Sequence, residues 1–455
     1  MKKAKLSLLA IALVFTLFAS QVYSQWTFVG FVTGAGTFPS VSVYGPTNVA
    51  VFGGPNGTGK VFRSTTSGAS WTDISGTGLG LELYCGWAVD GNIMFAGDGG
   101  VSGGQGGNAK VYKTTNGGTT WAMILSTGGS AGFINAVVFS RTTPTFGVIQ
   151  SDPPTGAGQQ YWLQKTTDGG TTWTQIIPVP GIAGAASSQN GLVVIDANFF
   201  NFGLNAGTSR LDGTTNGGTS WSVMTLSGIT GAFISGNAWN NDKLNGCACS
   251  STSLPNISRT VNGGTSWTAT PTGVTGAQTY CNLKWIHGSN TVYLMCTSGT
   301  NLARKSTDNG ATWTGLTLSA PLTGFTHMDY YRTNDSVYLY AIAGDGSVMR
   351  LVQGIGPLGI DPNNTSTPTS FALQQNYPNP FNPETNIKYS VPEGSNVSIR
   401  IYNTLGVEIK TVVDRYHTTG NYVEQVNMDN FASGVYFYTM KSDNFSETKR
   451  MMLVK

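Results

Sequence analysis

The sequence predicts an all-β protein: a β-propeller, then a small Ig-like β-sandwich. Three observations carry that expectation. A short turn-like motif ending in Trp recurs six times, at Trp71, Trp121, Trp173, Trp221, Trp267 and Trp313. The chain of 455 residues holds 61 Gly, 11% aromatic and only 10% charged residues. Many turns and short half-buried strands give that mix, and long helices do not. Beyond residue 370 Gly falls, charge rises and strand-like alternation sets in.

The N-terminus comes first in the chain. Residues 1–24 read as a secretory signal peptide. Lys2, Lys3 and Lys5 precede an apolar run from Leu8 to Ala19, and Val22-Tyr23-Ser24 stands before Gln25. The run is short of the roughly 20 residues that span a bilayer, and no other segment is apolar enough to span. Export permits disulfides. Five Cys are present, at 85, 247, 249, 281 and 296. Cys281 and Cys296 fall opposite each other on two strand-like runs joined by a four-residue turn, His287–Asn290. A bridge and a pair of buried thiols are both open there. Cys247-Ala248-Cys249 lacks a partner His or second Cys pair, so no zinc site, other metal or cofactor is expected.

The formal charge is +3. Residues 25–355 hold 14 Lys and Arg against 13 Asp and Glu, and residues 371–455 hold 8 against 8. The exported chain is therefore close to neutral. No basic stripe exists to neutralise phosphates, which excludes nucleic acid as an expected partner.

The repeat fixes the next elements. Ser or Thr opens each copy (Ser64, Thr114, Thr166, Thr214, Thr260, Ser306). A short polar residue stands two positions on: Thr66, Asn116, Asp168, Asn216, Asn262 and Asp308. Position five is always Gly (Gly68, Gly118, Gly170, Gly218, Gly264, Gly310), and position eight is always Trp. Arg63, Lys113, Lys165, Arg259 and Lys305 precede five copies, while the fourth has Gly213. Asp or Asn accepts bonds from amides just ahead of it, Gly supplies positive φ, and Trp buries a ring on the returning strand. The motif resembles the Asp-box of sialidase-type (BNR-like) propellers, with Thr66 and the Asn copies as departures. The resemblance implies a structural box joining the two outer strands of each blade.

Strand-like runs precede each box, such as Ile134–Phe139 with Thr145–Ile149, and Tyr280–Ile286 with Thr291–Cys296. Four strands in each period of 46–52 residues is the spacing of a propeller blade. After Trp313 a further series, Phe325–Tyr331, Ser336–Ile342 and Ser347–Val352, lacks a box and a fourth strand. Trp26-Thr27-Phe28-Val29 resembles the segment that begins at each box Trp, as in Trp173-Thr174-Gln175-Ile176. Seven blades, the last completed by the N-terminal strand, is therefore expected. Six blades with a loose N-terminal strand is the alternative.

Residues 354–370 read as a linker rich in Pro, Asn and Thr. In residues 371–455, six strands are expected: Asn386–Val391, Val397–Tyr402, Val407–Val413, Tyr422–Met428, Val435–Met440 and Lys449–Val454. The tail carries Asn376-Tyr377-Pro378-Asn379-Pro380-Phe381-Asn382-Pro383, then Leu405-Gly406, Ser433-Gly434-Val435-Tyr436 and a terminal Lys455. It resembles the type A C-terminal sorting domain of the bacterial type IX secretion system. The resemblance implies passage through the outer membrane, with the secretion machinery as partner and the cell surface or medium as destination.

Candidate chemistry is sparse. The propeller region has one Glu, Glu82, and seven Arg, without the arginine set and Arg-Ile-Pro motif of sialidases. A pair among Asp90, Asp98, Asp152, Asp196 and Asp329 could serve a polysaccharide hydrolase, which needs two carboxylates flanking the scissile bond. His287, His327 and His417 show no nucleophile pairing. Second-to-third strand loops, Gly53–Gly59, Asp98–Asn108, Ser151–Gln160 and Ser250–Asn256, should lie on the face away from the boxes. Asp98, Asp152, Gln159, Gln160 and Tyr161 are the candidate recognition residues there. The leading expectation is an exported propeller that binds a glycan or protein. The alternative is a secreted glycoside hydrolase. A further resemblance, to the propeller assembly factors of photosystem II, conflicts with the sorting tail.

Overall fold

The computed structural model describes residues 25–355 and 370–455, apart from 105, 155–159, 178–185, 206–208, 230–232, 251–255, 275–279, 298–301, 334–335, 393, 418–419 and 443–444. The signal-peptide expectation (1–24) and nearly all of the linker expectation lie outside the described residues. The described chain is all β, with no helix.

Strand β1 (Gln25–Phe31) opens it. Five four-stranded antiparallel sheets come next in sequence order. They are β2–β5 (Ser40–Val43, Val49–Gly53, Lys60–Ser64, Thr72–Asp73), β6–β9 (Leu83–Ala88, Met94–Asp98, Lys110–Thr114, Ala122–Ser126) and β10–β13 (Ile134–Phe139, Gly147–Ser151, Trp162–Thr166, Thr174–Gln175). Then come β14–β17 (Ala186–Val194, Phe200–Asn205, Arg210–Thr214, Ser222–Thr225) and β18–β21 (Ile234–Trp239, Gly246–Ser250, Asn256–Thr260, Thr268–Pro271). The last strands of the region are β22–β25 (Cys281–Trp285, Val292–Cys296, Ala303–Ser306, Thr314–Leu318) and β26–β28 (Phe325–Arg332, Ser336–Ala343, Ser347–Gly354). Strand β1 lies between these two groups. Gln25 and Trp26 run parallel to Thr317 and Leu318 of β25, and Thr27–Phe31 pair antiparallel with β28. Trp26 is 1% exposed.

Burial is highest in the second strands and falls towards the fourth. Second strands such as β3, β7, β11, β19 and β23 are buried at every residue, while the short fourth strands β5 and β13 are exposed throughout. That is why second strands such as β3 and β23 read as unbroken apolar runs: both faces are covered by neighbouring sheets. The repeat Trp joins this packing. Trp173 lies 6.0 Å from Phe95 of the preceding sheet and from Phe139 of its own, edge-on to both.

The repeat turns share one hydrogen-bond plan. Gly170 N donates to Thr166 Oγ1 at 2.9 Å, and Asp168 Oδ1 accepts from Thr171 N and Thr172 N at 3.0 Å. The glycine amide makes the same bond in the other copies. Gly118 N donates to Thr114 Oγ1, Gly218 N to Thr214 Oγ1, Gly264 N to Thr260 Oγ1 and Gly310 N to Ser306 Oγ, at 2.9–3.0 Å. Gly118, Gly218, Gly264 and Gly310 all have φ between +78 and +90, so the position demands glycine for its backbone. Thr172 Oγ1 donates to Asp168 Oδ2, the main reason its carboxyl sits well below the usual carboxylate range. Asn116, Asn216 and Asn262 accept at the same place, from Thr120 N, Ser220 N and Ser266 N. Asp308 accepts from Thr312 N, and even Thr66 accepts from Ser70 N through its hydroxyl. The acidic position thus needs only an oxygen acceptor, which explains the variation among copies.

In four copies the basic residue ahead of the box reaches the next sheet. Arg63 Nη1 donates to Gly91 O, Lys113 Nζ to Gly170 O, Lys165 Nζ to Gly217 O and Arg259 Nε to Asn309 O, at 2.7–3.1 Å. Where the fourth copy has Gly213, a Cβ would collide with Met224 Cε. A methionine fills the space there.

Cys281 and Cys296 are direct cross-strand partners, as the turn length implies. They are free thiols, and all five Cys are buried. Of the two readings left open, the structure takes the unbridged one.

Residues 372–453 form two further sheets, β29 (Ala372–Leu373) with β30 (Glu384–Val391) and β33 (Gly420–Asn427), and β31 (Ser395–Tyr402), β32 (Glu408–His417), β34 (Gly434–Ser442) and β35 (Phe445–Leu453) in the order β32-β31-β34-β35. Their inward residues share one core, including Ile387, Tyr389, Ile399, Ile401, Tyr438 and Met440. The Asn-Tyr-Pro-Asn-Pro-Phe run clasps the edge of β35. Asn376 Nδ2 donates to Pro378 O and Thr385 Oγ1, Phe381 enters the core, and Asn379 Oδ1 accepts from Met452 N. Tyr436 OH donates to Ala432 O, and Lys455 N donates to Ser433 Oγ.

Candidate functional site: a channel with two ends

The first strands β2, β6, β10, β14, β18, β22 and β26 neighbour one another in turn, and β26 neighbours β2. They enclose a channel. Its two ends differ because strands alternate in direction. First-to-second strand turns lie at the box end, where Gly117 N donates to Asn92 O, Gly217 N to Asn198 O and Gly263 N to Leu244 O. Second-to-third strand loops lie at the other end.

The box end is polar. Arg141, just past β10, forms an ion pair with Asp329 of β26 at 2.6 Å. Its guanidinium lies 4.9 Å from the ring centre of Trp87 on β6 and 4.3 Å from that of Tyr330. Asp329 Oδ2 also accepts from Val43 N at 2.8 Å. The pair therefore links four sheets across the opening. Lys284 of β22 lines the same cavity of about 100 Å³, and burial lowers its ammonium to about 8. Burial also lowers His287 to about 3, helped by Arg141 and Arg332. His327, lowered well below its ordinary value by burial, accepts from Val41 N at Nδ1. Both imidazoles are thus neutral at physiological pH, and the carboxylate is already held by two donors. The arrangement is built to tie strands together.

A bulge in β14 divides the channel. Its pairing with β15 steps from Ser187↔Leu204 to Leu192↔Phe202, pushing Gln189–Gly191 inward. Gln189 Nε2 donates to Tyr84 O at 2.5 Å and Phe38 O at 3.3 Å, and Tyr280 OH donates to Gln189 O at 3.0 Å. One side chain and its carbonyl therefore reach three other sheets.

Beyond the bulge, at the end away from the boxes, lies a hollow of about 470 Å³. Phe38, Phe233, Tyr280 and Phe325 line it, with Thr37, Thr297, Thr323 and Asp345 among the polar neighbours. The aromatics continue sideways: Tyr280–Phe325 at 6.2 Å, Phe38–Tyr84 at 6.3 Å and Tyr84–Phe133 at 4.8 Å between ring centres. Each stands at or just before the start of a first strand. An aromatic recurring at strand entry is a signal present in the sequence, and it points to this mouth.

The candidate recognition residues fare differently. Asp98 is fully buried, with Oδ1 accepting from Gly100 N and Lys110 N and Oδ2 from Tyr112 OH. Burial raises its carboxyl above the ordinary value. Tyr161 is 1% exposed and packs edge-on to Phe202 at 5.1 Å. Neither meets solvent, so both are corrected from recognition to structure: one closes a loop and one fills a core. Asp152 accepts from Asn135 Nδ2, and Gln160 is exposed. Gln159 and residues 251–255 lie outside the described residues. Glu82, buried, accepts from Gly57 N and Gly103 N, tying two adjacent loops together.

The five aspartates weighed for hydrolysis are dispersed. Asp90 and Asp196 cap turns at the box end, the latter also paired with Lys243. Asp98 and Asp152 sit at the opposite end, and Asp329 inside the channel is held by Arg141. Neither the channel cavity nor the aromatic hollow is lined by two of them.

Residues 375–455 match the secretion system C-terminal sorting domain. The tail marks the protein for type IX secretion to the outer surface or extracellular space. Among the described residues no helix is long and apolar enough to cross a membrane. Solved structures with propeller-like folds resemble the chain. One is YCF48 bound to D1 peptide, at 19% identity over 67% of this chain and 89% of that one, with TM-score 0.40. YCF48 from Cyanidioschyzon merolae gives 13%, 72%, 98% and 0.47 in the same order. An ancestral GH74 enzyme gives 13%, 93%, 63% and 0.49. No curated protein matches the chain.

Proposed function

We propose that residues 25–353 form a closed seven-bladed propeller that binds the end of a glycan chain. An Ig-like sorting domain at 371–455 delivers it to the cell surface or medium. The observation that carries the binding reading is the aromatic hollow away from the boxes. Its volume of about 470 Å³ suits a small ligand. Gln189 closes its floor, so a ligand enters end-on. Sugars offer an apolar face to rings such as Phe38 and Tyr280, and hydroxyls to the threonines at the rim. The box stays structural in this reading, since its acceptors and amides are spent on turns.

The test is a glycan array with the mature protein, then titration of the best ligand against Phe38→Ala. Phe38 is 54% exposed, so its loss should leave the fold intact. Affinity should fall about tenfold or more, as for loss of one stacking anchor. An array without ligands, or a variant that binds like the parent, overturns the proposal. Release of reducing sugar from the bound glycan would point instead to the hydrolase reading.

A further inference from the structure

Leu405 is 86% exposed, more than any other large apolar side chain among the described residues. It stands in the turn between β31 and β32 of the sorting domain, close to Val407 at 55% exposed. The turn is held by four hydrogen bonds. Asn403 Oδ1 accepts from Leu405 N at 2.9 Å and Val407 N at 3.1 Å. Asn403 N donates to Val407 O, and Gly406 N donates to Asn403 O, each at 3.0 Å. Gly406 has φ +76, although a Cβ there would meet nothing within 4 Å. Glycine is required for conformation alone. Below the turn, Arg400 pairs with Glu408 and Asp414, pinning the two strands.

The turn thus holds two apolar side chains, Leu405 and Val407, out in solvent on a fixed backbone. Beside it lies a shallow hollow of about 520 Å³ with Tyr402 and Phe437 in its lining and Thr439, Lys441 and Thr448 among its polar residues. A fixed apolar knob next to a partly aromatic hollow is the form of a docking anchor. The sorting match says what the domain must meet.

We propose that the Asn403–Val407 turn is the recognition knob of the sorting tail, with Leu405 inserting into an apolar pocket of the outer-membrane secretion machinery. The adjoining hollow around Tyr402 and Phe437 receives a side chain of that machinery in return. Asn403 and Gly406 are positioning residues, since they set the turn and do not make the contact. The proposal rests on the sorting role of the tail.

The experiment measures surface display of the full chain in a bacterium with type IX secretion. The arms are Leu405→Asp, Leu405→Ser, Leu405→Met, Tyr416→Ser and deletion of 371–455. Surface and periplasmic fractions are read together with protease resistance of the purified tail-bearing protein. Leu405→Asp and Leu405→Ser should keep a protease-resistant tail yet lower the surface fraction about tenfold, the loss expected of one apolar anchor. Leu405→Met should restore display. Tyr416→Ser, at the far end of β32 and 62% exposed, should display normally. Normal display of both polar Leu405 variants, with display abolished by the deletion, overturns the knob while leaving the sorting role intact. Normal display of the deletion overturns the sorting role itself. Loss of display with equal loss in Tyr416→Ser also overturns the knob, because the effect is then not local to the turn.

Discussion

Replacing Arg141 with Met tests whether the box end of the channel is a strand clamp. The Arg141 and Asp329 side chains are 19% and 5% exposed. This pair therefore belongs with buried ion pairs, not with surface pairs worth about 0–1 kcal/mol. Removing one partner of a buried pair costs about 3–5 kcal/mol, because the other charge is stranded. After Arg141→Met, Asp329 would keep only Val43 N as donor. At about 2 °C per kcal/mol for a chain of this size, the melting temperature should fall by about 6–10 °C. The double variant Arg141→Met with Asp329→Asn should recover most of that loss. Neither charge then remains, and the amide oxygen can still accept from Val43 N. Urea melts of parent, both singles and the double give the coupling, expected at about 2 kcal/mol or more. A single variant costing under about 1 kcal/mol, or a double no better than Arg141→Met, would refute the clamp.

Lys284 carries a pH signature. Unfolded, its ammonium titrates near 10.5; folded, burial brings it to about 8. Between those values the unfolded chain holds a proton that the folded chain has released, so its contribution to stability rises with pH there and is lost as pH falls through 8. Lys284→Met should be more stable than the parent by about 2 kcal/mol at pH 7 and should lack that rise. Urea melts at pH 7 and 9.5 decide it, and a destabilised variant sinks the idea. Two neighbouring glycines separate backbone strain from collision. Gly169 has φ +72 with nothing within 4 Å of a Cβ, whereas Gly170 has φ +79 and a Cβ there would overlap the Phe95 ring. Gly169→Ala should cost about 1–2 kcal/mol and Gly170→Ala roughly 3 kcal/mol or more. Equal costs would mean that Phe95 moves aside freely.

The sequence is informative where physics repeats itself. Each box must make the same turn and fill the same wedge, so Gly170 and Trp173 have visible counterparts at a regular period. The sorting tail is legible for a similar reason: Asn376, Phe381 and Tyr436 all serve one small core. Strand positions such as Ile134–Phe139 stand out as short, nearly continuous apolar runs. The channel is harder to read. Arg141, Lys284 and Asp329 meet only because three different sheets turn inward, and nothing local in the sequence marks that meeting. The bulge at Gln189–Gly191 does carry a local signal, the turn-forming Asn190-Gly191 pair with Asn190 at φ +54, but nothing in that pair says that it turns into a channel. Asp98 and Tyr161 misled because they border Gly-rich loops. Proximity to a loop says nothing about which way a side chain points, and these two point inward.

The placement of β1 has a consequence for the order of events in export. Phe28 N donates to Ser319 Oγ, 291 residues away, and Thr27–Phe31 pair with β28. A chain synthesised from its N-terminus must carry this strand with its amides unpaired by β28 until the last strands of the region follow. Loop closure over that length is slow, and an unpaired edge invites association meanwhile. The final pairing can form only when the stretch next to the sorting domain is also in place. The strand that pairs with β1, Ser347–Gly354, is the last before the sorting domain in the chain. A molecule with a finished tail is one whose first strand has, by then, something to pair with.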